Sequence, residues 1–457
     1  MHNNNSYPSS TRAWLTVTIL MLAYVLSFVD RQILNLLVDP IRRDLDITDT
    51  HMSLLMGLSF ALFYTICGIP LGRLADRKSR RGLIVCGVLL WSLMTALCGT
   101  AKNFWQFLTF RIGVGVGEAT LSPSAYSLIA DSFPPKLRAT AMSVYSMGIY
   151  IGSGLAFLLG GLVVKFASAQ GDVMLPLLGE VRPWQLIFLI LGAAGAVFTL
   201  VLLAIREPQR QGIDAGVEVP LREVAGYLKA NRRTVLYHNF GFACLAFAAY
   251  GGASWIPTFF IRTYGWSASE VGILYGSVVA VAGSLGIITG GRLSDLLHRR
   301  GYADAPLRVG IVSAILTLPL SLAFLAGSGE LALAVIALHV FTIAMPFGVG
   351  PAAIQEIMPN SMRGQASAIY LFVITLIGLG VGPTAVALVT DFVFADDMAL
   401  RYSLLIVTGI ALVGAIILLG MGLKPYRASL ERLHQWRPEA TPRPASMEPT
   451  ALSSPQP

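Results

Sequence analysis

The sequence predicts an all-α membrane protein of twelve transmembrane helices in two six-helix bundles. Three observations predict it. Of 457 residues, 55% are hydrophobic and 13% charged, against about 25% charged in an average soluble chain. The apolar residues fall into twelve runs, each as long as the roughly 17–25 residues that one membrane-crossing helix needs. Charged residues flanking these runs recur at fixed offsets between the two halves of the chain. High hydrophobicity with low charge excludes a disordered chain, and runs this long exclude barrel strands of about 10 alternating residues.

In chain order, residues 1–13 are polar and read as a cytoplasmic tail. Spans follow near 14–37, 51–75, 83–100, 104–130, 139–168 and 183–205, forming an N-terminal six-helix bundle over 14–205. The first run is too long for a signal peptide and lacks a small-residue cleavage site, so it reads as a retained helix. Residues 206–233 form the only long inner loop. Its stretch Leu221 to Ala230 is amphipathic, as suits a helix lying on the membrane surface. Spans near 234–262, 269–293, 309–328, 331–355, 365–392 and 402–423 make the second bundle, over 234–423. Residues 424–457 form the other cytoplasmic tail, rich in Pro, Ser, Thr and Ala towards its end and expected to be disordered.

Lysine and arginine set the orientation. An even number of spans puts both termini on one side. With the termini inside, inner segments carry 24 of these cations and outer segments 7; Arg31 and Arg111 lie within spans. This split follows the positive-inside rule and predicts a multi-pass protein of the plasma (inner) membrane with both termini cytoplasmic. The net charge of +8 then reflects basic inner loops, and no nucleic-acid partner is expected. Cys67, Cys86, Cys98 and Cys244 lie inside apolar runs without a CxxC pair, which predicts buried free thiols.

The repeat is specific. Gly72-Arg-Leu-Ala-Asp76 precedes Arg80-Arg81, and Gly291-Arg-Leu-Ser-Asp295 precedes Arg299-Arg300; acid and arginine are each offset by 219. Asp131-Ser-Phe-Pro134 and Arg138 recur as Glu356-Ile-Met-Pro359 and Arg363, offset by 225. Two six-helix halves of parallel topology, an arrangement found in transporters, account for this.

The string Gly72-Arg-Leu-Ala-Asp76-Arg-Lys-Ser-Arg80-Arg81 resembles the signature loop of the major facilitator superfamily, and the resemblance covers about residues 14–423. Within that superfamily the chain resembles the Spinster family of lipid transporters. The likeness rests on Asp30-Arg31, Phe104-Trp105, Arg111-Ile-Gly-Val-Gly-Val-Gly-Glu118-Ala, Ile129-Ala-Asp131-Ser-Phe, Gly152-Ser-Gly154-Leu, Arg206-Glu-Pro-Gln-Arg210 and Trp255-Ile-Pro257. Where that family commonly has an aromatic residue soon after the alanine, this chain has Thr120-Leu121-Ser122-Pro123. The resemblance implies alternating-access transport, with Asp30 and Glu118 as the proton-coupling carboxylates.

Ionisable groups inside spans cost roughly 2.5–3.5 kcal/mol each on insertion scales, so they mark functional positions. Asp30, Arg31, Arg111 and Glu118 stand out, and all are in the first half; the matching part of span ten has only His339. Arg111 and Glu118 are seven residues apart and share a helix face. Asp30 and Arg111 are expected ~12 and ~10 Å from the outer ends of their spans at 1.5 Å per residue. They match in depth and are opposite in sign, and Glu118 falls nearer the middle. Arg31 points about 100° away from Asp30. A carboxylate that takes a proton and releases its arginine couples protonation to conformation; the alternative is an internal salt bridge tying spans one and four together. Arg111 is expected to receive an anionic head.

At the inner ends, Asp76 precedes span three and suits a helix N-terminus. Arg80 is expected to meet Asp131, and the repeat assigns the same parts to Asp295, Arg299 and Glu356, making a latch that closes the inside when the protein faces out. Tyr24, Phe28, Tyr145, Trp255, Tyr275 and Tyr370 are candidates for lining a cavity, with lipid-facing or core packing the alternative. Gly113, Gly115 and Gly117 follow no strand and read as close helix packing, not as a nucleotide fingerprint. Glycines 148, 152, 160 and 161, and glycines 378, 380 and 382 with Pro383, read as packing or bending positions. His51, His238, His298 and His339 lack metal spacing. With no Walker loop, HExxH or Ser-His-Asp set, neither enzyme chemistry nor a cofactor is expected.

These features predict a proton-coupled monomeric carrier of an amphipathic anion such as a lysophospholipid or sphingoid phosphate. The proton is the coupling ion, and membrane lipids surround the carrier. A proton-driven exporter of drugs or organic anions, and a non-transporting lipid sensor or scaffold, are the alternatives.

Overall fold

The computed structural model describes residues 7–133, 135–176, 179–209, 221–359 and 362–435. Among the described residues, ten helical stretches are long and apolar enough to cross a membrane unbroken. The other two spans are the interrupted span four and span five, Pro135–Gln170. The remaining spans are Ser10–Leu36, 49–77, Arg80–Cys98, Pro183–Leu202, Arg232–Tyr264, Ala268–Arg299, Ala305–Leu325, Gly329–Glu356, 363–394 and Leu400–Gln435.

Span four is two helices, Phe104–Glu118 and Leu121–Ser132, where a single helix is expected. The cause is local. A Cβ on Gly117 would lie 2.8 Å from the Gly87 carbonyl, and one on Gly87 would meet the Thr120 hydroxyl, so spans three and four touch backbone to backbone. The Thr120 hydroxyl turns back to the Gly117 carbonyl at 2.8 Å, and Pro123 withholds an N–H one turn on. Glu118 therefore sits at a helix end, its side chain directed by a break rather than by a continuous face.

Two other expectations are corrected, and the outer loops add elements of their own. The last helix runs to Gln435, past the expected boundary at 423, because Tyr426 and Arg432 bind backbone carbonyls of span ten and the linker helix. The outer loops hold a short helix, Val38–Leu45, and a hairpin pairing Val173–Leu175 with Gly179–Val181. Of the four thiols only Cys98 is buried, and Cys86 is exposed.

The buried side chains show how the halves meet. One cluster, at the end opposite the basic loops (the outer end), joins Ile33, Leu36 and Phe107 of the first half to Trp255, Phe259, Tyr275 and Val386 of the second. At the basic end (the inner end) each half keeps its own cluster, one around Val88, Leu128 and Tyr145 and the other around Phe242, Ile354 and Tyr426. The halves are thus sealed together at the end opposite the basic loops and packed separately at the basic end.

Candidate functional site

Two ion pairs cross between spans one and four. Arg111 reaches Asp30 at 3.5 Å, and the Thr95 hydroxyl of span three donates to the other Asp30 oxygen at 2.9 Å. Arg111 also donates through Nε to the Leu55 carbonyl at 3.3 Å. That carbonyl is presented by the π-helical turn Leu54–Leu58 of span two, a distortion that recurs at functional sites. One turn away, Arg31 grips Glu118 through Nε at 2.7 Å and Nη2 at 2.5 Å, and the Ser27 hydroxyl donates to the same oxygen at 2.5 Å.

The two pairs differ in access. The side chains of Arg111 and Glu118 are 0% exposed, and that of Arg31 is 20% exposed. Among the described residues, Asp30 Oδ2, both Arg111 terminal nitrogens and Glu118 Oε1 have no hydrogen bond. A buried polar group left unpaired costs about 1–3 kcal/mol, so each pair holds an unused acceptor at the cost of stability. Arg111 is sealed behind Asp30 and reaches no open space in this state. The more accessible cation of the two is Arg31, whereas Arg111, expected to receive an anionic head, is enclosed in this state.

Aromatic rings surround the Arg31 guanidinium. The Arg31 guanidinium lies 4.3 Å from the Phe60 ring centroid and 5.2 and 5.3 Å from those of Phe28 and Tyr64. Tyr24 stacks on Tyr145 at 5.1 Å. Tyr24 and Phe28 are half-buried. Tyr145, Trp255, Tyr275 and Tyr370 are buried in packed clusters. Trp255 donates to the Pro383 carbonyl at 2.9 Å within the outer core. Tyr64, half-buried, was missed as a candidate, although it follows Phe60, buried against the same guanidinium, by four on one face of span two. In the second half His339 is buried and makes no ion pair among the described residues.

A third set of charges closes the outer end. Arg262 of span seven binds Asp49 bidentately at 2.6 and 2.8 Å and Asp39 at 2.8 and 3.0 Å. Arg42 bridges Asp49 at 3.2 Å and Asp397 at 2.7 Å, and the Thr50 amide and hydroxyl donate to Asp391 at 2.7 and 2.6 Å. The Arg262, Arg42–Asp397 and Thr50 contacts all run between the halves. Asp49, Asp391 and Asp397 approach as a possible cation trio, but two guanidiniums and the Thr50 donors already satisfy them. Spans five and eight add a backbone seam, where a Cβ on Gly161 would meet the Ser269 carbonyl at 2.9 Å. Sequence reasoning counted these arginines only for orientation. Their signal was charge placed on the side where the positive-inside rule disfavours it.

Fold, repeat and site agree with one family, and its profile, the Major Facilitator Superfamily, matches residues 20–383. The chain belongs to that superfamily. Within it the chain is similar to transporters of the Spinster type. It is 33% identical over 413 residues to an MFS-type efflux pump of Mycolicibacterium smegmatis, covering 89% of this chain and 91% of the relative. It is 26% identical over 451 residues to human protein spinster homolog 1, covering 91% and 81%. The crystal structure of a bacterial homolog of the human lysosomal transporter Spinster, inward-facing and unoccupied, superposes with a TM-score of 0.77 at 28% identity. That likeness covers 94% of this chain and all of the other.

The superfamily's signature loop works differently in the two halves. In the first, Arg80 is fully buried. It pairs with Asp131 and donates to Ser127 Oγ at 3.1 Å, Glu207 at 3.1 Å and the Pro208 carbonyl at 2.9 Å. Glu207 also accepts from the Arg80 amide at 2.8 Å and from the Ser79 hydroxyl. In the second half Glu356 accepts from Tyr426 at 2.8 Å and lies 3.9 Å from His298. Asp295 and Arg299 are exposed and make no ion pair among the described residues. The expected Arg299–Glu356 contact is not made in this state, in which the basic ends of the halves pack separately. Tyr426 stands 219 residues after Glu207 and occupies the acid that Arg299 would have taken. The Asp76 side chain lies outside the described residues.

Burial works against ionisation of Glu207, yet the Ser79 hydroxyl and the Arg80 amide and guanidinium hold its carboxyl below the usual range. Such a carboxylate contributes stability that is present above its unfolded pKa and lost as pH falls through the folded one. Protection of the Arg80 amide against hydrogen exchange is expected to hold down past the ordinary glutamate value of about 4.3 and to fall only below it. Glu207→Gln should lower protection wherever the native carboxylate is ionised and converge with the native chain once pH falls through its folded pKa. Protection already falling above that value in the native chain would remove Glu207 from the clamp.

Proposed function

We propose that this protein is a proton-coupled secondary transporter that moves an amphipathic anion by alternating access, with Arg31 as the anion-receiving group and Glu118 and Asp30 as proton carriers. The observation that carries this reading is the Arg31–Glu118 pair, a buried carboxylate holding a guanidinium that is one-fifth exposed and packed on aromatic rings. Protonating Glu118 removes the charge that holds Arg31 and frees it for an arriving anion. Conversely, an anion that takes Arg31 leaves Glu118 without its counter-charge and favours the proton. Linkage makes the two effects equal in size, so anion and proton bind together. Asp30 and Arg111, one layer deeper, extend the same exchange. Tyr24, Phe28 and Tyr64, all half-buried, give an apolar tail a surface. We take the carrier to act as a monomer in the plasma membrane, with both termini cytoplasmic and protons as its only coupling ion.

The similarity to an efflux pump favours a second reading, an exporter of drugs or organic anions. The sign of the proton linkage separates part of it. A cationic drug would compete with the proton for Glu118, whereas an anion would bind with it.

The test is substrate binding and flux in proteoliposomes across a pH step, using labelled lysophospholipids with anionic heads and, in parallel, organic cations. Anion binding should weaken as pH rises. Arg31→Ala should weaken it roughly 10- to 100-fold, the size of one hydrogen bond to a charged group, with Arg31→Lys intermediate. Cation flux that strengthens as pH rises would favour the exporter, and the absence of any flux would leave a lipid sensor or scaffold.

A further inference from the structure

We infer a second ligand site at the inner end of the second half, which takes the headgroup of an anionic, hydroxyl-bearing phospholipid such as phosphatidylglycerol. A cavity of about 480 Å³ lies where the linker helix Leu221–Ala230, span seven and span twelve meet. Four cations, Arg232, Arg233, Lys424 and Arg432, line it, and no acid does. Arg432 is already engaged, donating to the Ala230 carbonyl at 2.6 Å. Arg232, Arg233 and Lys424 are exposed and make no ion pair among the described residues. They surround the start of the 33-residue span-seven helix, the end that favours negative charge.

A second observation points to the rest of the headgroup. Asn231, also in the cavity wall, is 2% exposed, and its amide nitrogen donates to the Tyr227 carbonyl at 3.1 Å. Its oxygen makes no helix cap and has no hydrogen-bond partner among the described residues. This buried acceptor needs a donor beside the anion, as a phosphodiester with a free hydroxyl provides and a bare phosphodiester does not.

The walls identify a lipid rather than a soluble ester. Leu236 and Phe240 follow Arg232 on its face of span seven at +4 and +8, and Met421 and Ile417 precede Lys424 on span twelve at −3 and −7. All four are more than two-fifths exposed. They form apolar tracks leading from the cavity along the membrane-facing surface, where acyl chains would lie. The site is separate from the Arg31–Glu118 centre and does not depend on what that centre transports.

The test is lipid retention by the purified full-length protein, read by native mass spectrometry and by thermal shift. The probes are phosphatidylglycerol, phosphatidylmethanol (same charge, no hydroxyl), phosphatidylcholine and soluble glycerophosphoglycerol. Phosphatidylglycerol should bind tightest, phosphatidylmethanol several-fold more weakly, and phosphatidylcholine without specific retention. Removing one cation near a membrane surface weakens such binding about fivefold. Arg232→Gln and Lys424→Gln together should therefore lose about 25-fold, while Lys102→Gln, on the outer side, loses nothing. The double variant's unfolding temperature without added lipid reports its fold. Equal retention of phosphatidylcholine, full phosphatidylglycerol binding by a folded double variant, or equal competition by glycerophosphoglycerol would overturn the proposal.

Discussion

Glu118→Gln and Asp30→Asn are expected to give folded protein that no longer drives substrate in response to a pH step, while substrate-for-substrate exchange survives. The amides match the carboxylates in volume and still accept from Ser27 and Thr95, but they cannot take up a proton. The two variants should differ in stability. Glu118→Gln leaves Arg31 with aromatic faces and partial exposure, so its charge keeps a favourable surrounding. Asp30→Asn leaves Arg111 fully buried with only the Leu55 carbonyl as acceptor. Breaking a buried pair this way costs about 3–5 kcal/mol, so Asp30→Asn should have clearly the lower unfolding temperature. If the two carboxylates titrate as one cluster, either variant alone abolishes coupling, because the proton belongs to the set. Full pH-driven flux in both variants would return the four charges to a structural role and leave the energy source elsewhere.

Arg262→Gln should produce the largest conformational change. The native side chain is 6% exposed and joins two carboxylates of the other half. Asp49 behind it is fully buried and would be left with Arg42 alone. Partial access at Asp39 discounts the full buried-pair cost, leaving on the order of 2–4 kcal/mol. At about 1.4 kcal/mol per factor of ten, that shifts the balance roughly 30- to 700-fold away from the state sealed at the outer end. Spin-label distances across the outer end should lengthen, and those across the inner end should shorten. Asp49→Asn added to Arg262→Gln should cost less than the two singles summed, since both remove one interaction. An unchanged distance distribution in folded Arg262→Gln protein would show that the apolar outer core, not the ionic network, holds the state.

The first half of the site was legible because charges inside apolar runs are rare and their depth follows from a fixed rise per residue. Asp30 and Arg111 were paired from depth and sign alone. The pairing of Arg31 with Glu118 was less accessible. It depends on the break after Glu118, which comes from two glycine backbones in contact with each other. The repeat did not show the inner-end contacts of this state. It assigned Arg299 and Glu356 the parts of Arg80 and Asp131, yet in this state one residue at the corresponding place after the last span, Tyr426 instead of Glu207, holds the acid.

The sequence alone determined what the membrane dictates locally: twelve helices, the basic side, the repeat, and the costly charges worth explaining. Each depends on transfer free energy or helix geometry, which act on a residue and its near neighbours. The tertiary structure decided which of those charges meet. It sealed Arg111 and left Arg31 the more accessible of the two, moved four of the six cavity aromatics into packed cores, and built an outer gate from Asp39, Arg42, Asp49, Arg262, Asp391 and Asp397. Partners as much as 355 positions apart, as Arg42 and Asp397 are, leave no periodic trace in the chain. Only the relative placement of the two halves brings them within reach, and in a carrier that placement is the quantity that changes.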